Sequence, residues 1–411
     1  MKNHIIWTIA SIVISINTSI AQKSLSDYTY VDSVILLKHL ESKSYSTNIV
    51  STQYGRNVVF TYYNRKYDID TITIYNLNVD TYKLESTRIV RPGISRQLEE
   101  LQSYEFNSIA CNDTMLFLSF YEHVLVYDKQ NDGTYRIERE IYVPEAFGHI
   151  NLLNDSTLLF SNNYVETRLT KQRVSIFLMN TNTGKIYKKL YPHYNTSLIS
   201  CFNPFKYIDN KDDIILFANR NEYSFLFYNN NLDIIDSIGY ADYENWVTIP
   251  DKVKKKALKK GSQPVDIMEY IRKHFYSATK LNFIYMPDTN NIIAVITSKR
   301  EESTFYNSVD TWKKADGKWV RNLSDISEYK YNKLTEQEQT EPLKPNGLDV
   351  NFFNGKTHFF DDKIVKLDVQ GVGINPIGIT RLEYWNKHEE WLSTKAPHFR
   401  IIVFNHSLLK Q

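Results

Sequence analysis

A polar turn set between two apolar strands recurs along the chain, and its spacing restricts the fold more than any other feature. It appears as Ile74-Tyr-Asn-Leu-Asn-Val-Asp80, as Tyr127-Asp-Lys-Gln-Asn-Asp-Gly133 and as Leu178-Met-Asn-Thr-Asn-Thr-Gly184. Phe227-Tyr-Asn-Asn-Asn-Leu-Asp233 and Thr311-Trp-Lys-Lys-Ala-Asp-Gly317 continue the series, and Ile402-Val-Phe-Asn-His-Ser closes it. Aligned on Tyr75, Tyr127, Met179, Tyr228, Trp312 and Phe404, the copies are separated by 52, 52, 49, 84 and 92 residues. A second turn precedes each of these. Examples are Ser108-Ile-Ala-Cys-Asn-Asp113-Thr-Met, Ile150-Asn-Leu-Leu-Asn-Asp155-Ser-Thr, Tyr207-Ile-Asp-Asn-Lys-Asp-Asp213 and Phe283-Ile-Tyr-Met-Pro-Asp288. Phe359-Phe-Asp-Asp362-Lys-Ile-Val supplies the last.

Two hairpins per repeat make four strands in about fifty residues, the size of one propeller blade. The expected fold is all-β, a six-bladed antiparallel β-propeller with blades near 43–97, 103–144, 147–192, 202–243, 278–323 and 355–404. The 92-residue interval has room for a seventh, weaker unit. The sixth copy ends soon after its third strand. Tyr28-Thr-Tyr-Val-Asp-Ser-Val-Ile-Leu is expected to supply the missing outer strand and seal the ring. Composition agrees, with 30 Tyr and 21 Phe against 13 Gly, because aromatic and β-branched residues favour strands. Two insertions explain the long intervals. Residues 250–277 form a helical insertion, with Ile267, Ile271 and Phe275 at helical spacing. Residues 326–347 form a polar loop.

The copy at Tyr127–Gly133 has aspartates ahead of a glycine, as a calcium loop does. Gln130 stands at the third ligand place, however, and Arg139 at the twelfth, where a bidentate glutamate belongs. A hairpin turn with Gly133 at positive φ is expected instead.

The N-terminus reads as a signal peptide over residues 1–21. Lys2 is the positive start, Ile5 to Ile16 the apolar run and Ser19-Ile-Ala21 the cleavage site. The chain is therefore expected to be exported, periplasmic or extracellular, with 22–411 as one propeller domain. No cysteine follows the cleavage site, which argues against a lipid anchor. No later segment is long and apolar enough for a transmembrane span. The two cysteines, Cys111 and Cys201, rule out a disulfide framework and fall on non-adjacent units. A net charge of +2 gives no reason to expect nucleic acid.

The chain resembles the secreted six-bladed propeller proteins of Bacteroidota, in the broad NHL/TolB-like class. The resemblance rests on the signal peptide, the turn units, Arg88-Ile-Val-Arg-Pro-Gly93 and the terminal Trp391-Leu-Ser-Thr-Lys-Ala-Pro-His-Phe-Arg-Ile-Ile-Val-Phe404. It implies the fold and no particular activity.

No HxH, HExxH or CxxC occurs, nor GxSxG, a P-loop or GxGxxG. No cofactor or metal is expected. The paired acids Asp212-Asp213, Asp361-Asp362 and Glu389-Glu390 fall in expected turns or loops. Asp113-Thr-Met and Asp155-Ser-Thr match a short O-glycosylation acceptor pattern, which a turn entering a strand also produces. The Lys252–Lys260 run suits the solvated face of a surface helix.

The positional signal is stronger. Loops joining second and third strands gather on one rim of a propeller channel. They are expected to present Tyr63, Arg65 and Tyr67, then Tyr121 and His123, Tyr164 and Arg168, Arg220 and Tyr223, Arg300, and Trp391. Aromatic faces stack on sugars or apolar groups, and arginine forks carboxylates or phosphates. The expected function is a non-enzymatic binding module of the cell envelope. Its ligand is a glycan, a peptide or an anionic metabolite, and its partner a glycan or an envelope protein. The alternatives are a propeller-type glycan hydrolase or lyase, and a protein-binding scaffold.

Overall fold

The computed structural model describes residues 29–37, 47–64, 71–90, 108–120, 123–143, 149–161, 176–190, 207–218, 225–239, 252, 280–301, 304–323, 356–370 and 398–408. Among them are 24 strands, arranged as six four-stranded antiparallel sheets in a ring. The first strand, β1 (Thr29–Leu37), stands apart from those that follow it. Blade one is β2 (Thr47–Tyr54), β3 (Asn57–Asn64), β4 (Thr71–Asn78) and β5 (Leu84–Val90). Blade two is β6 (Ser108–Cys111), β7 (Met115–Phe120), β8 (His123–Lys129) and β9 (Tyr135–Tyr142). Blade three is β10 (His149–Asn154), β11 (Thr157–Ser161), β12 (Ile176–Asn180) and β13 (Ile186–Leu190). Blade four is β14 (Tyr207–Lys211), β15 (Ile214–Ala218), β16 (Phe225–Tyr228) and β17 (Ile234–Ile238). Blade five is β18 (Lys280–Asp288), β19 (Asn291–Glu301), β20 (Thr304–Ala315) and β21 (Lys318–Leu323). Blade six is β22 (Lys356–Phe359), β23 (Lys363–Gln370) and β24 (His398–His406), and β1 completes it.

The expected closure is therefore present. β1 runs antiparallel to β24, with Val34 opposite Ile402 and Ile35 opposite Ile401. Ile35 packs on a core shared by Val58, Phe60, Val365 and Val403, so the seam between blades six and one is apolar. Outside it, Lys363 Nζ lies 3.3 Å from Asp32 and 4.4 Å from the centre of the Tyr82 ring. Five of the six sheets fall inside the segments read from the sequence, and the sixth adds β1 from outside 355–404 and runs on to His406. The 250–277 insertion lies outside the described residues, apart from helical Lys252, and so does the 326–347 loop.

Turn chemistry explains why the strands end where they do. Asn112 Oδ1 accepts hydrogen bonds from the Met115 amide at 2.7 Å and the Thr114 amide at 3.0 Å. Asn78, Asn154, Asn180 and Asn229 cap their own turns in the same way. Such side chains offer the backbone a local partner and so favour turns over continued strand. The Thr114 and Ser156 hydroxyls are engaged in these turns, which accounts for the Asp-Ser/Thr pattern by local structure. Two hairpins close with two residues at positive φ, Asp212-Asp213 (45° and 65°) and Asp316-Gly317 (51° and 75°), the geometry that matches strand twist. The calcium-like stretch is likewise a hairpin turn, with Gly133 at φ 82° and its amide bonded to the Gln130 carbonyl.

The sheets stack face to face through apolar layers. Ile109, Leu118 and Leu125 of blade two meet Val59, Ile72 and Ile74 of blade one. Phe117 and Val126 meet Leu158, Phe160 and Phe177 of blade three. Leu178 meets Phe217 and Tyr228 of blade four, and Phe225 and Phe227 meet Leu281 and Ile292 of blade five. Tyr285 and Phe359, with rings 5.1 Å apart, join blades five and six. Cys111 is a buried free thiol in the first of these layers, and burial pushes its pKa up to about 12. Cys201 lies outside the described residues.

Candidate functional site: the channel and its two ends

The innermost strand of each blade borders the central channel. β6 lies beside β2 and β10, β14 beside β10 and β18, and β22 beside β2. In an antiparallel meander the first-to-second and third-to-fourth turns share one end, and the second-to-third connections leave from the other.

The first end is laced from blade to blade. Asn112 Nδ2 donates to Asp155 Oδ1 at 2.7 Å, linking blades two and three. Arg139 Nη2 donates to the Thr181 carbonyl at 2.7 Å across the same boundary. Arg56 Nη2 reaches Asp80 Oδ1 at 2.6 Å and Asp362 Oδ1 at 2.9 Å, which ties blade one to blade six. That guanidinium holds the Asp80 carboxyl below its usual pKa. Between blades four and five, Asp236 accepts from Lys314 Nζ at 2.6 Å and from the Trp319 indole at 3.0 Å. Burial works to raise the Asp236 pKa, but the Lys314, Ser237 and Trp319 donors hold it below the usual value. Tyr54 goes the other way, its hydroxyl raised by burial and by the neighbouring Asp113 carboxylate. The acids of this end are thus turn and bridging groups. Among the described residues, no cluster of three His, Cys, Asp or Glu is arranged to hold a metal ion.

Of the expected rim residues, Tyr63, Arg300 and His123 fall among the described residues. Tyr63 lies in β3 and Arg300 in β19, each next to the last residue of its strand. His123 opens β8 and sits opposite Phe120. Arg65, Tyr67, Tyr121, Tyr164, Arg168, Arg220, Tyr223 and Trp391 lie outside the described residues, each between the second and third strands of its blade. Of the rim set only the His123 side chain is described. Its Nδ1 is 2.5 Å from Glu140 Oε1, and its ring is 5.4 Å from Tyr142 at a tilt of 59°. The imidazole is thus held by the outermost strand of its own blade.

Polar side chains also meet between the innermost strands. His358 Nε2 and Ser51 Oγ are 2.9 Å apart, joining β22 to β2. Gln53 Nε2 donates to the Tyr285 hydroxyl at 3.3 Å. This second bond connects blades one and five past the inner edge of blade six. Ser51 and Gln53 are two residues apart and share one face of β2. Both contacts lie near the laced end, since Tyr54 and Phe359 are the last residues of β2 and β22. Sequence reasoning missed this group because its partners are separated by 307 and 232 positions. The available signal was the run Ser51-Thr-Gln53, polar where the inner strand of the next blade reads Ile109-Ala-Cys111.

No family model matches the sequence, and no curated protein matches it either. Solved structures do match. A Bacteroides fragilis protein whose name marks it as a candidate for export aligns over 93% of this chain and 97% of its own, with a TM-score of 0.53 and 11% identity. A member of the DUF4221 family from Bacteroides vulgatus aligns over 93% and 100%, with a TM-score of 0.47 and 8% identity. Hsv2 of Kluyveromyces marxianus covers 67% of this chain with a TM-score of 0.34 and 10% identity. No described helix is long and apolar enough to cross a membrane. At 11% identity, the first of these likenesses bears on the fold alone, and it agrees with the six-bladed ring.

Proposed function

We propose that the chain is an exported, non-enzymatic binding propeller of the cell envelope whose ligand sits at the channel mouth, on the second-to-third strand connections. The observation that carries this reading is that charged groups at one end of the ring are engaged in bonds between neighbouring blades, as at Arg56, Arg139 and Asp236. At the other end we place Arg65, Arg168, Arg220 and Arg300 together with the five rim tyrosines expected from the sequence. Loops carried on a rigid scaffold are where binding residues concentrate.

Export is supported by the sequence of residues 1–21, and the name of the Bacteroides fragilis neighbour points the same way. A free periplasmic or extracellular location is part of the same proposal. A single propeller domain over 22–411 and a place in the NHL/TolB-like class belong to the same proposal.

The test is a thermal-stability screen of residues 22–411 against glycans, peptides and anionic metabolites. A ligand that binds only the folded state raises stability by about 2.7 kcal/mol at a hundredfold excess over its dissociation constant. Replacing Arg65, Arg220 and Arg300 together by alanine abolishes the shift. An unchanged affinity in that triple variant rejects the rim. Turnover of the bound ligand rejects the non-enzymatic reading.

A further inference from the structure

We propose that the lower part of the channel recognises one neutral sugar residue through Ser51, Gln53 and His358, with Tyr285 positioning the Gln53 amide. This rests on the binding reading above and names the ligand class for the same channel.

The donor and acceptor set carries the inference. Ser51 offers a hydroxyl, Gln53 a carboxamide and His358 an imidazole. Each group type both donates and accepts hydrogen bonds, as a sugar hydroxyl does. None is a carboxylate, an ammonium or a guanidinium. An anionic ligand calls for paired cations or an arginine fork, and the guanidinium of the β2–β3 turn, Arg56, is already held by Asp80 and Asp362. A hard cation calls for several oxygen ligands, carboxylates among them.

Geometry supports the same class. Ser51 and Gln53 project from one face of β2 at a separation of roughly 7 Å, two strand residues. That is comparable with the span of one pyranose ring and its hydroxyls. Ser51, Gln53 and His358 are half-buried, so a ligand can reach them, whereas Tyr285 is 8% exposed. The Tyr285 hydroxyl accepts from Gln53 Nε2, which fixes the amide plane. The Gln53 carboxamide has one carbonyl oxygen and a second N–H besides the one it donates to Tyr285. Because Gln53 and Tyr285 bridge blades one and five, they narrow the channel near the laced end. A ligand entering from the rim therefore meets this group as a floor.

The experiment is calorimetric titration of residues 22–411 with neutral tri- and tetrasaccharides built from glucose, galactose, mannose or N-acetylglucosamine. Oligogalacturonate and inorganic phosphate serve as anionic probes. A neutral saccharide is expected to bind, and Gln53→Ala or Ser51→Ala to weaken it by roughly 10-fold or more. Tyr285→Phe weakens the same saccharide while leaving the ligand-free melting midpoint and circular dichroism unchanged, which a purely structural role would not do. Saccharide binding that survives Gln53→Ala and Ser51→Ala overturns the inference, as does a preference for oligogalacturonate or phosphate. If a probe binds through Arg65, Arg220 and Arg300 but ignores Gln53, the binding module stands and the sugar floor falls. If no probe of either class binds, the sugar floor falls, and the peptides of the stability screen decide whether the binding reading stands.

Discussion

Arg56 offers a direct test of how the ring is held shut. Its guanidinium bonds to Asp80 through Nε at 3.0 Å and Nη2 at 2.6 Å, reaches Asp362 at 2.9 Å, and lies 5.2 Å above the Phe360 ring. These groups are about one-third to one-half exposed, so each ion pair is worth no more than about 0.2–1 kcal/mol. A cation over an aromatic ring at a partly exposed site adds about 0.5–1 kcal/mol. Arg56→Ala should therefore cost about 1–3 kcal/mol, lowering the melting midpoint by a few degrees for a domain of this size. The loss should depend on pH in one direction. The folded state holds the Asp80 carboxyl below its ordinary value of 3.8, so its contribution is complete above that value. It disappears as pH falls through the depressed folded value. Thermal denaturation of wild type and Arg56→Ala, followed by circular dichroism at pH 7 and pH 3, measures this. Arg56→Lys, which keeps the charge and loses the fork, should fall between them. If the difference is as large at pH 3 as at pH 7, and unchanged in high salt, the ion-pair reasoning is wrong and Arg56 acts by packing on Phe360.

Three further outcomes follow from the interior and the turns. Phe217 is fully buried and meets Tyr228 edge-on at 5.0 Å; Phe217→Ala should cost about 3–5 kcal/mol in urea denaturation, and a loss below 1 kcal/mol would contradict the packing of blades three and four. Cys111 should resist alkylation at pH 8 in the folded protein and react once unfolded, because its thiol is buried with a pKa near 12. Gly133 and Gly184 both have positive φ, but a Cβ at Gly133 meets open space while one at Gly184 comes 3.0 Å from Ile141 Cγ2. Gly133→Ala should cost about 1 kcal/mol and Gly184→Ala visibly more, and equal midpoints would contradict the contact with blade two.

The fold was legible because the chain repeats its turn chemistry. Asn112, Asn154 and Asn180 are local signals, since each side chain bonds an amide two or three residues ahead. Such contacts need no tertiary information, so the turns, and with them the blade boundaries, show in the sequence. The closing strand was legible for a different reason: a three-stranded last copy leaves β24 without an outer partner. The channel was not legible. Ser51 and His358, or Gln53 and Tyr285, become neighbours only when the ring closes, and no local pattern records which inner-strand residues will face each other. The cross-blade bridges at Asp236 and Arg56 were hidden in the same way, because an aspartate in a strand or turn reads as a solvated acid.

The pairing of Thr29 with His406 has a temporal consequence. Among the described strands β1 is the first to be synthesised and its partner β24 the last. Until β24 arrives, β1 has no ladder to join, and the apolar seam of Ile35 with Val403 stays open. A prematurely terminated chain would thus leave both the edge of β23 and the orphaned N-terminal strand accessible to proteases. Sealing the ring waits on its most distant pair of strands, and neither edge is covered until both are present.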